Sequence, residues 1–148
     1  MESVRIQILN AILGVLQTVE GIGDTGGVNT SPISIQTPPS GYVTPGKDEV
    51  VQVDIGHFVR RQMDVDTQLW VMTHGSVLAA LEEFLPKVQQ KFAADYTIGF
   101  GTNGPVLDFS ELRVSEPFPL NSEETEAGII ITHQVLYQVR RDDPYSWQ

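Results

Sequence analysis

Residues 63–92, MDVDTQLWVMTHGSVLAALEEFLPKVQQKF, change period halfway along and so decide the fold. Over the first ten residues Met63, Val65, Thr67, Leu69 and Val71 share one side of an extended chain. Asp64, Asp66 and Gln68 share the other, until Trp70 and Met72 make both sides apolar. That period of two is a β-strand that starts half-wet and runs into a covered interior or onto a partner. From Val77 the spacing becomes helical. Val77, Leu78, Leu81, Phe84, Leu85, Val88 and Phe92 face one way, opposite Glu82, Glu83, Lys87, Gln89 and Gln90. Ser76 stands where an N-cap belongs. Pro86 lies inside the pattern and implies a kink or the first turn of a second helix.

On the N-terminal side, residues 2–18 read as a first helix. Ile8, Ile12, Val15 and Val19 form its apolar stripe, widened by Leu9, Leu13 and Leu16, and Gly21 and Gly23 stop it. The apolar stretch Val4 to Val19 is broken by Arg5, Gln7, Asn10 and Gln17. It reads as amphipathic, not as a signal peptide, and nothing approaches a membrane span. Residues 20–48 are rich in glycine and carry Pro32, Pro38, Pro39 and Pro45. They read as a long loop or arm, with Ile33 and Ile35 in one short strand-like piece. The arm is either a disordered surface loop or a segment that orders on a neighbouring subunit. Residues 49–53 form a short strand candidate, followed by Arg60 and Arg61.

On the C-terminal side, residues 99–106 are a turn-rich connection, Leu107 to Val114 a strand, and Glu116 to Glu126 an acidic loop. Ile129, Ile131, His133, Val135, Tyr137 and Val139 then alternate with polar residues in the clearest strand of the chain. Residues 142–148 are a polar and aromatic tail. The predicted architecture is a single α+β domain over 1–148. Two amphipathic helices pack on one face of a mainly antiparallel sheet, with a long Gly/Pro-rich arm over 20–48.

A chain of 148 residues buries roughly 70% of its unfolded surface and needs no staples. It has no cysteine, which excludes disulfides, thiolate metal sites and a cysteine nucleophile. The formal charge of −10 disfavours nucleic acid and anionic membranes as binding partners. It serves solubility or, on a channel wall, keeps DNA from sticking.

Tests for chemistry come out weak. Residues 21–26, GIGDTG, spell a dinucleotide fingerprint but follow a helix rather than a strand. His57, His74 and His133 have no metal-ligand spacing, and His133 lies on the apolar phase of its strand as a core histidine. Asp64 and Asp66 read as solvated strand-face carboxylates. His74-Gly75-Ser76 lacks the second glycine of a nucleophile elbow. Arg140, Arg141, Asp142 and Asp143 form either inter-subunit ion pairs or an isolated surface cluster. The expectation is a non-enzyme with no cofactor and no metal.

Three stretches resemble the tail terminator proteins of long-tailed bacteriophages: the opening helix (SVRIQILNAIL, 3–13), the strand running into a helix (LWVMTHGSVLAALEEFLP, 69–86), and the closing unit of SEPFPL (115–120), the strand to Arg141 and DDP (142–144). The resemblance is one of organisation over most of the chain. It implies an α+β fold, a six-fold ring of identical subunits, and binding to the tail-tube protein on one side and to the head connector or neck protein on the other. It also implies DNA passing through without specific binding, and a place in the virion after assembly in the host cytoplasm. Another neck, head-completion or baseplate component, or a small ligand-binding or enzymatic domain, are the alternatives. A closed ring needs a heterologous interface. The candidate interface residues are Ile33, Ile35, Tyr42, Arg60, Arg61, Trp70, Arg140, Arg141, Asp142, Asp143, Tyr145 and Trp147. Tyr145 and Trp147 stand as aromatic anchors of a tail that either reaches a neighbour or frays.

Overall fold

The computed structural model describes residues 2–28, 38–53, 56–73, 75–121, 123 and 125–148. Its elements are α1 (Val4–Gln17), β1 (Ser40–Val53), β2 (Phe58–Met72), α2 (Val77–Ala93), β3 (Val106–Val114), the short β4 (Phe118–Pro119) and β5 (Glu126–Arg140). The strands form one antiparallel sheet in the order β1-β2-β5-β3, with β4 pairing to the start of β5. The fold is α+β, as the sequence predicts.

Both helices lie on the same side of the sheet. They touch each other, α1 packs on β1, and α2 packs on β2 and β5. The odd-numbered residues Met63, Val65, Leu69, Ile131, Val135 and Tyr137 meet Ile8, Leu9, Ile12 and Leu16 of α1 and Leu81, Val88 and Phe92 of α2 in one core. Burying each such side chain contributes about 1.5–3 kcal/mol. The opposite face carries Gln62, Asp64, Asp66, Gln68 and Trp70 of β2 beside Leu136, Gln134, Thr132 and Ile130 of β5. No described helix covers it.

The predicted cap at Ser76 forms, and a second cap is found at Ser3. The Ser3 hydroxyl accepts from the Ile6 N–H, and the Ser76 hydroxyl from the Ala79 N–H. α2 runs through Pro86 as one element. Pro86 is exposed, so the Glu82 carbonyl it leaves without an intrahelical donor lies on the wet side.

Two boundaries differ from the sequence reading. β1 begins at Ser40, so the C-terminal part of the 20–48 stretch is strand rather than arm. Pairing with β2 overrides the local turn composition. Pro45 and Gly46 sit at an edge-strand register shift between Pro45 and Asp48, where a missing N–H and a missing side chain cost little. β2 begins at Phe58, which places Arg60 and Arg61 within the strand instead of before it. The Ile33–Ile35 piece lies outside the described residues.

After α2 the Asp95 carboxylate accepts from the Thr97 N–H and hydroxyl and from the Gly99 N–H. This knot of bonds holds Ile98 at a positive φ of 45° while its side chain stays in the core.

Candidate assembly surfaces

Pairing of Phe58 with Arg140 and of Met72 with Glu126 defines two ends of the long central strands. Fifteen residues of β5 put those ends about 45 Å apart.

At the first end, Asp48 of β1 lies under the N-terminus of α1. Its carboxylate accepts from the Tyr137 hydroxyl at 2.5 Å and the Arg61 Nε at 3.0 Å, with the Arg5 Nε 3.7 Å away. The Asp48 side chain is 8% exposed, so this is an ion pair largely taken out of water and kept by several partners. Burial, and then the hydrogen bond and charge of Asp48, hold the Tyr137 phenol well above its ordinary pKa. An open cleft of 260 Å³ between Ser3, Arg5, Arg61 and Pro144 leads to this group.

The C-terminal tail folds back onto the same end. The Val4 N–H donates to the Pro144 carbonyl, the Arg140 N–H to the Ser146 carbonyl, and the Trp147 Nε1 to the Asn103 carbonyl. The Trp147 ring meets Phe100 edge-on at 6.4 Å. Trp147 therefore anchors the tail to its own chain, while Tyr145 stays exposed. Arg140 pairs internally with Asp142 at 3.4 Å, and an isolated bridge joins Arg140 to Asp143. Arg61 is spent on Asp48. Arg141 is exposed, with no side-chain partner among the described residues. Arg60 reaches Gln52 through Nη1, but its buried Nε has no partner. Val50, Val51 and Val53 close this end, each nearly half exposed.

The opposite end has another character. Glu116, Glu123 and Glu126 surround it, and none belongs to an ion pair among the described residues. All four ion pairs found there are at the arginine end. Exposed Met72 pairs with Glu126, and exposed Leu120 donates its N–H to the Glu126 carbonyl. Leu78, in the first turn of α2, lines a cleft of 170 Å³ with Val77, Pro117, Phe118, Pro119 and Ala127.

Two of the sequence candidates lie on the uncovered sheet face. The Tyr42 hydroxyl donates to the Gln68 side-chain carbonyl; burial, with Asp66 nearby, raises the phenol's pKa. Trp70 is half-buried there, and its buried Nε1 has no partner. Asp66 of the same face accepts from the Thr132 hydroxyl at 2.6 Å.

His133 sits in the core as expected, stacked on Phe109 at 4.5 Å and edge-on to Phe92 at 4.8 Å. It is not fully satisfied, because its buried Nδ1 has no hydrogen-bond partner. Burial lowers its pKa to about 4, against a smaller pull from Glu111 in the other direction. A 360 Å³ cleft beside it is bridged by the Gln89–Glu111 hydrogen bond. Among the described residues no three His, Asp or Glu side chains gather in a metal-binding group. No described helix is long and apolar enough to cross a membrane.

The sequence candidates Arg60, Arg61, Arg140, Arg141, Asp142, Asp143, Tyr145 and Trp147 thus gather at one end, whereas Tyr42 and Trp70 do not join them. Sequence reasoning missed Asp48, hidden in what read as loop, and the exposure of Val50, Val51, Val53 and Leu120; Leu78, read as part of the apolar stripe of α2, is 56% exposed. No protein-family model matches the chain, and no curated protein matches it.

Proposed function

We propose that the chain is a structural component of a long-tailed bacteriophage: a tail terminator whose copies form a ring, cap the tail-tube protein and join the tail to the head connector. The observation that carries this reading is the architecture. An opening helix and a strand-linked second helix share one face of an antiparallel sheet, and the closing strand follows an acidic loop. That is the organisation the resemblance implies. The charge of −10 suits a channel that DNA passes without sticking. In this reading the chain is not an enzyme. The test is to add the purified chain to polymerising tail-tube protein of the same virus and image the tubes. Tubes of limited length carrying the chain at one end are expected. Tubes that grow unchanged and bear no chain would contradict the reading.

A second reading has one observation in its favour. The cleft beside His133 has aromatic walls, a polar lip and a volume within the range of small-ligand pockets. Ligand-induced shifts confined to Phe92, Phe109 and His133 in NMR spectra would support it over the first.

A further inference from the structure

The helical layer stops short of one sheet edge. α2 packs on β2 and β5, while β3 lies beyond β5 as the edge strand. The gap left there is the 360 Å³ cleft beside His133. Gln89, Phe92 and Ala93 of α2 line one wall, Phe109 and Glu111 of β3 the other, with His133 of β5 between them. Phe109 and Glu111 are two apart on one strand, so both point to this side of the sheet. Glu111 is the register partner of His133.

Three features of this cleft point to a ligand. The first is His133, which is 3% exposed and whose buried Nδ1 has no hydrogen-bond partner. Buried polar atoms are nearly always paired, so an exception calls for a structural or functional reason. The second is Glu111, the one charged side chain in the lining. It is exposed and joins no ion pair among the described residues. Its Oε1 accepts from the Gln89 Nε2 at 2.9 Å, which closes a bridge from α2 to β3. The third is the aromatic seam behind that bridge. Phe92 meets Phe109 edge-on at 5.7 Å, and both rings meet His133.

The charge of these groups selects the ligand. Burial keeps the imidazole neutral at pH 7, so it does not offset the carboxylate. An anion would meet Glu111 and a chain of charge −10. A cation would be held by the carboxylate and by the aromatic rings. The Gln89 amide, a neutral N–H donor, already stands where an ammonium group would. A charged donor makes a hydrogen bond to a carboxylate roughly twice as strong as a neutral pair does.

We propose that the α2–β3 cleft binds a small organic amine. Its ammonium group replaces the Gln89 amide as donor to Glu111, and its apolar body enters beside Phe92 and Phe109 as the bridge parts. The proposal rests on the small-ligand reading above, whose ligand class it names, and is independent of the terminator reading.

The test uses three probes with one ring and different charge: benzylamine, benzyl alcohol and benzoate. Each is titrated at pH 7 into the isotope-labelled full-length chain and followed by NMR. Benzylamine should shift the resonances of Gln89, Phe109, Glu111 and His133, and bind at least about tenfold more tightly than benzyl alcohol. Glu111→Gln, at an exposed position, should remove that preference while the chain stays folded. Benzyl alcohol or benzoate binding there as tightly as benzylamine would overturn the amine proposal and leave the small-ligand reading standing. A preference for benzylamine that survives Glu111→Gln would overturn it too. No shift at the cleft with any of the three would overturn both.

Discussion

The two ends of the sheet are built from the same strands, yet they handle charge in opposite ways. At the arginine end Asp48 draws Arg5, Arg61 and Tyr137 around one buried carboxylate, joining α1, β1, β2 and β5. At the acidic end Glu116, Glu123 and Glu126 form no ion pair among the described residues. The first arrangement works within the chain, since removing one partner strands the others in a site with little water. The second leaves electrostatic potential on the surface, where it selects and steers partners. Stability should therefore be sensitive to mutation at the first end, and association at both.

The largest effect expected is from Asp48→Ala. It leaves Arg61 and the Tyr137 hydroxyl without their acceptor and should cost about 3–5 kcal/mol in chemical denaturation. Glu123→Ala at the other end should stay within about 0.5 kcal/mol. Equal losses at the two ends would break the contrast.

Next in size is an acid transition from the seam between α2 and β3. The unfolded chain protonates His133 as the pH falls through 6.5, and the folded chain only near 4. This group's contribution is therefore complete above pH 6.5. It declines by about 3 kcal/mol between there and pH 4, then levels off. His133→Leu should flatten that part of the stability-versus-pH curve. An unchanged curve would mean that the imidazole is not held neutral.

A smaller effect, about 1 kcal/mol, is expected for Ser76→Ala, which deprives the Ala79 N–H of its acceptor. Smallest of all is Val51→Glu, within about 0.5 kcal/mol in stability, because Val51 is 46% exposed. A larger loss would show that the end of β1 is part of the core.

Local signals served well where the physics is local. Ser76 was legible as a cap because it bonds a backbone N–H three residues on, whereas the Ser3 cap lay inside what read as helix over 2–18. β5 was legible because its strict alternation has one answer. His133 was legible as core for the same reason, although its unpartnered Nδ1 was not. The start of β1 was hidden, since Pro45 and Gly46 read as turn until β2 supplies the pairing. Asp48 was hidden more deeply, because Tyr137 lies 89 residues away in sequence and nothing near Asp48 announces that partner. For Trp147 the sequence offers a tail that reaches a neighbour or frays, and only the fold brings Phe100 and the Asn103 carbonyl to it. Of the candidate interface residues, the arginines of β2 and β5 came together because antiparallel pairing places Phe58 opposite Arg140.

The central claim is that this chain works by closed association with copies of itself, and mass in solution tests it most directly. The chain should be measured by light scattering over a wide concentration range, with and without tail tubes to template assembly. The monomer is 16.4 kDa. The account predicts a species near six copies, about 98 kDa, that stops growing once closed. A chain that stays at 16.4 kDa at every concentration, and remains unbound when tubes are present, would contradict it.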